Sequence, residues 1–234
     1  MRFGVKTALK HAEFSCVHGF TLAEVLITLG IIGVVAAMTL PSVINDAKDK
    51  AVISQLKKEY SVLSQALLRA KNEHEDYVYW NIVDYDMTST TEIFTYIKPY
   101  LKIVKECPNQ TMGCWHQVTS LKDANIHNAA GMGDSVYNFI LADGARVSMN
   151  IYSSDSDRTM YGVTEYALSP FIGFWVDVNG SKKPNKLGRD VFLFILTTKG
   201  LLPAGTDNES SDCKVGDFGY TCAAKVLNEG KIDY

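Results

Sequence analysis

The sequence predicts an α+β protein. One long N-terminal helix, apolar in its first half, packs its second half on an antiparallel β-sheet head. Three observations carry this. Residues 20–40 are a run of 21 with a single charge, Glu24. From residue 42 to 72, apolar side chains recur at helical spacing. Beyond residue 135, short apolar runs alternate with Asp-Gly and Asn-Gly turns. One helix followed by a succession of strands is the α+β pattern.

A helix over residues 20–40 covers roughly 30 Å at about 1.5 Å per residue, the thickness of a bilayer's hydrocarbon core. Few helices buried in soluble domains are this long without a polar face, so the run reads as a membrane span. Gly19 stands immediately before it, and Glu24 stands five residues after that glycine. A carboxylate in lipid costs several kcal/mol unless something pairs with it, which makes Glu24 a functional candidate. The alternative is a shallow position from which Glu24 snorkels to the interface.

The hexapeptide Gly19-Phe20-Thr21-Leu22-Ala23-Glu24, followed by its apolar run, resembles the cleavage and methylation motif of type IV prepilins and type II secretion pseudopilins. The likeness is tight over residues 19–41, looser in the helix beyond, and returns in patches near the C-terminus. It implies that a membrane-embedded prepilin peptidase cuts between Gly19 and Phe20 and methylates the new terminus at Phe20. It also implies four segments: a leader (1–19), a transmembrane part of the helix (20–40), an amphipathic part (41–72) and an extracytoplasmic α+β head of pilin-like fold (73–234). The chemistry is consistent. A glycine lets extended backbone enter a protease cleft without a side-chain clash. Cleavage leaves an ammonium at Phe20, and Glu24 lies one turn along the same face. Glu24 can therefore pair with that ammonium or with a neighbouring subunit's, setting the axial register of a helical polymer.

The leader, MRFGVKTALKHAEFSCVHG, carries Arg2, Lys6 and Lys10 against Glu13, a net +2. A basic segment before a span stays in the cytoplasm, so the C-terminal bulk faces outward. An ordinary signal peptide is cut after its apolar region; here the site precedes it and the span is retained. His18 stands before Gly19, where the family more often has Lys or Arg. Without the leader the chain's charge falls from −3 to −5 over 215 residues, enough for one core. Nucleic-acid binding is not indicated by that charge.

Pro41 ends the apolar run, and its missing N–H predicts a kink or a short unwound piece. The resemblance adds that a proline at this offset sits where the helix melts during fibre assembly, so Glu24 and Pro41 are both expected to serve assembly. Gly30 and Gly33 either permit close helix packing or are ordinary glycines of a span. Next, Val52, Leu56, Tyr60, Leu63, Leu67 and Ala70 repeat at steps of four and three, an apolar stripe facing the protein's own sheet. Lys48, Lys50, Lys57, Lys58, Glu59 and Arg69 are assigned to the opposite, polar face. The stripe is short for a coiled coil. The helix is expected to close near Asn72, about 80 Å from Phe20 if continuous.

Residues 91–104 predict a short helix with Ile93, Phe94, Ile97 and Leu101 inward, interrupted at Pro99. Strands are expected over 135–141, 146–152, 171–178 and 190–197, with turns at 142–145 and at Asn179-Gly180. The loop DVNGSKKPNKLGRD offers hard oxygen ligands at Asp177, Asn179, Ser181, Asn185 and Asp190, the donor type Ca²⁺ takes. It lacks the closing Glu of an EF-hand, and the alternative is an Asx-rich hydrogen-bonded turn. It resembles an Asp-x-Asn-Gly…Pro-Asn…Gly-x-Asp loop of pseudopilin-like proteins. Calcium supports the C-terminal loop of major pseudopilins, whose ligands do not map here residue by residue. No cofactor is otherwise required.

Of five cysteines, Cys16 lies in the leader. The other four sit in a segment predicted to face an oxidising compartment and allow three pairings, of which the two local ones, Cys107–Cys114 and Cys213–Cys222, are preferred. The second resembles the disulfide-bounded C-terminal loop of pilins. A zinc site from Cys107, Cys114, His116 and His127 is a minor alternative, since the spacings match no standard pattern. No GxSxG, Walker A or HExxH motif occurs, and the chain reads as a non-enzyme. The resemblance implies a pseudopilin or minor pilin of the inner membrane. Its expected partners are prepilin peptidase, other pilin subunits, an assembly platform and membrane lipid. The competing reading is a signal-anchored ligand-binding domain that never polymerises.

Overall fold

The computed structural model describes residues 19–108, 113–126, 135–207 and 212–234. The chain divides into two compact units, one ending at Asn45 and one running from Asp46 to Tyr234. Helix α1, Leu22–Glu73, contributes to both.

In the first unit the large apolar side chains of α1, among them Leu22, Ile27, Ile31 and Val34, are exposed. An 18-residue window here has a mean hydropathy of 2.2. The hydroxyls of Thr28 and Thr39 donate to the carbonyls of Val25 and Val35, each at 3.0 Å. Polar groups on this surface are thus satisfied within the helix, as lipid requires. Pro41 lies inside α1, and the residues on both sides stay helical. The unwound piece expected there is absent: the proline withholds one hydrogen bond from the carbonyl of Ala37, and the turns around it are kept.

In the second unit α1 buries Ile53, Leu56, Glu59, Leu63, Ala66, Leu67 and Ala70. Four of the six predicted stripe residues are among these; Val52 and Tyr60 flank the stripe half-buried. Glu59 corrects the sequence reading. It is three residues after Leu56 and four before Leu63, and the helical step puts it on the buried face despite its charge. The helix ends at Glu73, one residue beyond expectation.

Helix α2, Met87–Ile97, starts earlier than predicted because the Asp86 carboxylate caps it, accepting from the N–H groups of Thr88 and Ser89. It also stops earlier. Pro99 sits in the following 3-10 turn, Lys98–Tyr100, and residues 103–104, read as helix, open strand β1, Ile103–Pro108. Ile93, Phe94, Ile97 and Leu101 are buried as expected.

Five more strands follow: β2 Tyr137–Leu141, β3 Arg146–Tyr152, β4 Ala167–Asp177, β5 Val191–Thr197 and β6 Gly200–Pro203. With β1 they form one six-stranded antiparallel sheet in sequential order. Short helices α3, Asp155–Met160, and α4, Cys222–Glu229, complete the unit. Tyr137, Met149, Phe174 and Phe194 stand opposite one another across β2 to β5. This row meets the helices: Phe94 of α2 stacks on Tyr137 at 3.8 Å, and Tyr60 of α1 on Phe194 at 5.3 Å. On the opposite face Trp175 packs edge-on against Tyr161 and Tyr220, both at 5.9 Å, and its Nε1–H donates to Tyr152 Oη at 2.8 Å. β4 and β5 are therefore covered on both faces, which is why their sequences run apolar rather than alternate. The turn between β2 and β3 and the loop between β4 and β5 lie against each other. Gly180, at φ +74°, allows this, since a Cβ there would meet the Gly144 carbonyl oxygen at 2.7 Å.

Candidate functional site

The Gly19–Phe20 bond precedes the first turn of α1, in exposed irregular backbone. Chain neighbours aside, no atom of the described residues lies within 4 Å of where a Gly19 Cβ would be, and Phe20 is 87% exposed. Immediately beyond it, Thr21 and Glu24 close a reciprocal capping box. The Thr21 N–H and hydroxyl donate to Glu24 Oε2 at 2.8 and 2.7 Å, and the Glu24 N–H donates to Thr21 Oγ1 at 3.2 Å. The carboxylate is thus folded back over the helix N-terminus, one residue from the position where cleavage would create an ammonium. The Thr-x-x-Glu spacing is itself a sequence signature of this box; reading Glu24 only for its charge missed it. Gly30 and Gly33 leave an open strip on the helix, where a Cβ would meet nothing within 4 Å among the described residues beyond the helix's own backbone.

The four cysteines described in the second unit form the two local disulfides, Cys107–Cys114 and Cys213–Cys222, with Cα separations of 6.0 and 4.9 Å. Both cysteines that zinc would have required are consumed in the first of these, and His127 lies outside the described residues.

The five loop residues proposed for calcium part company. Ser181 is exposed. Asp177 and Asp190 are fully buried where β4 leaves and β5 enters the sheet. Asp190 accepts from the Asn179 amide at 3.0 Å and from the backbone N–H groups of Asn185 and Lys186 at 2.8 and 2.7 Å. Asp177 Oδ1 accepts from the Asn179 N–H at 3.1 Å, and its Oδ2 lies 2.9 Å from His116 Nε2. Burial pushes the Asp190 carboxyl up to about 6; the Asp177 charge adds to this, against the bonds from Lys186, Asn185 and Asn179. Asn179 Oδ1 and Asn185 Oδ1 are buried with no hydrogen-bond partner among the described residues. These two oxygens and Asp177 Oδ2 are hard donors of the type Ca²⁺ uses, fewer than the six to eight it takes. Among the described residues, no three His, Cys, Asp or Glu side chains converge on a metal position.

A cavity of about 340 Å³ opens between α1 and the β2–β3 turn, with Glu59 in its wall. Burial raises the Glu59 carboxyl above its ordinary value, partly offset by Lys58.

Two family models match the chain. The one described as "Family of unknown function (DUF6613)" covers residues 42–211, and the one described as "Prokaryotic N-terminal methylation motif" covers residues 15–40. No curated protein and no solved structure matches it.

Proposed function

The chain belongs to the family of unknown function DUF6613 and carries the methylation motif of type IV pilin-like proteins, and on that premise we propose that it is a pseudopilin or minor pilin. It is cut after Gly19 by prepilin peptidase, methylated at Phe20 and held in the inner membrane by residues 20–40, with the head outside. Together with other pilin subunits and an assembly platform it builds a pseudopilus or pilus through its N-terminal helix. Its work is mechanical or adhesive rather than enzymatic, in keeping with a structural family. What carries this is an exposed Gly19–Phe20 bond in irregular backbone directly before a capped helix with an apolar, exposed first half. The bond can enter a protease, and the helix surface needs lipid or other helices to cover it. The test is shear: cells with and without the peptidase are sheared and the released material is probed for the chain. Peptidase-dependent release in high-mass fibres supports assembly. Release of none, with the chain mature in the membrane, favours the signal-anchored ligand-binding domain.

Calcium at Asp177, Asn179 and Asn185, beside Asp190, is part of the proposal. The two buried Asn oxygens without partners favour it. A midpoint of thermal unfolding that rises with Ca²⁺ over chelator, and not in an Asn179→Ala chain, is expected; identical midpoints would remove the cation from the picture.

A further inference from the structure

We propose that the cavity beside Glu59 is a binding site for an alkylammonium group, supplied by a lysine side chain of a partner protein, with Lys58 as its resident plug. Glu59 is 1% exposed, and neither of its carboxylate oxygens has a hydrogen-bond partner among the described residues. A carboxylate buried this way is costly unless a cation reaches it. The cation at hand is Lys58. Its Nζ lies 3.2 Å from Glu59 Oε1 and also pairs with Asp143 in the β2–β3 turn. The Lys58 side chain is itself half exposed, reaching the acids from the solvent side. The site therefore already displays the chemistry it accepts, one ammonium between two carboxylates.

The remaining walls fit the rest of a lysine side chain. Val62, Leu141 and the Tyr100 ring line the cavity beside Lys102, giving a methylene stem apolar surface to cover. A divalent cation has a poorer claim, since the two carboxylates fall short of its oxygen count. Lys58 can yield its place to another ammonium: its own side chain is half exposed, and its outer pair, with Asp143, is one that water and salt screen. An incoming lysine would bring its stem into the cavity as well as its charge. None of this depends on whether the chain assembles.

The experiment uses the full chain in detergent micelles and ligand-observed NMR with Nα-acetyl-lysine methylamide. Saturable binding is expected in the unaltered chain. Lys58→Ala, which removes the competing ammonium, tightens it about fivefold, the equivalent of a released half-exposed ion pair. Glu59→Gln abolishes it, and Asp143→Asn at the mouth weakens it, so the result does not rest on one buried variant. Free 1,5-diaminopentane forms a second arm. Binding of both amines supports the proposal, whereas binding of the diamine alone overturns the protein source in favour of a small free amine. Failure of both to bind the Lys58→Ala chain, or equal binding in Glu59→Gln, overturns the site itself.

Discussion

Glu24→Gln separates the capping seen at Thr21 from the charge pairing proposed for assembly. In the capping box Glu24 Oε2 accepts from the Thr21 N–H at 2.8 Å and from its hydroxyl at 2.7 Å. Glutamine can make the same box through its amide oxygen. The helix start therefore keeps most of the ~1 kcal/mol a cap contributes. What the amide lacks is the charge. The pairing proposed between a carboxylate and the Phe20 ammonium of a neighbouring subunit is lost with it, and subunit association weakens. Thr21→Val does the reverse, losing the ~1 kcal/mol cap and sparing the charge, at a cost of about tenfold at most. The assay is sheared-fibre yield per unit of membrane subunit, with the N-terminal mass taken as a check on processing. Glu24→Gln is expected to be cut and retained in the membrane while fibres fall below detection, and Thr21→Val to keep a substantial fibre yield. Wild-type fibre yield from Glu24→Gln would refute the charge-pairing step and leave Glu24 as a helix cap.

The head supplies three further expectations. Leu63→Ala, in the fully buried stripe of α1, should lower stability by about 3–5 kcal/mol, whereas Leu68→Ala, at a position 56% exposed, should change it by less than ~0.5 kcal/mol; urea unfolding of the full chain followed by tryptophan fluorescence separates the two. Replacing Cys213 and Cys222 together with Ser opens a loop with a sequence separation of 9, and the midpoint should fall by the equivalent of about 2–3 kcal/mol, with no further loss on adding reductant at that site. Burial raises the Glu59 carboxyl above its ordinary 4.5, so its contribution is fully present below 4.5 and is lost as pH rises through the raised value. Urea midpoints across that window should decline more steeply in the unaltered chain than in Glu59→Gln; parallel profiles would show that Glu59 ionises as freely as in the unfolded chain.

How far the sequence reaches depends on whether a residue's surroundings are local. The apolar run and the stripe through Leu56, Leu63 and Leu67 are set by spacing along one helix, so they were legible. The Asp143-Gly144 turn and the flanking strands were legible for the same reason. β1 and β6 were not: both are short edge strands, and Ile103 and Lys105 owe their extended form to pairing with β2, far along the chain. α2 was misplaced by four residues because the Asp86 cap, a single polar side chain, outweighs the apolar pattern downstream. Helix α4 and the Tyr161–Trp175–Tyr220 cluster cover the second face of the sheet through contacts between distant segments. At the candidate sites the same division holds. The cleavage motif and the two nearby cysteine pairs are local and could be named in advance. The burial of Glu59 against a cavity closed by the β2–β3 turn needs the folded sheet, and helical spacing alone could only have flagged its place in the stripe.

The central claim is that the chain is processed between Gly19 and Phe20. Intact-mass and N-terminal peptide analysis of the membrane-bound protein, made with and without prepilin peptidase, tests it directly. A mature chain that begins at N-methyl-Phe20, and only when the peptidase is present, is the predicted result. A terminus at Met1 under both conditions would contradict it and leave an anchored ectodomain outside the pilin pathway.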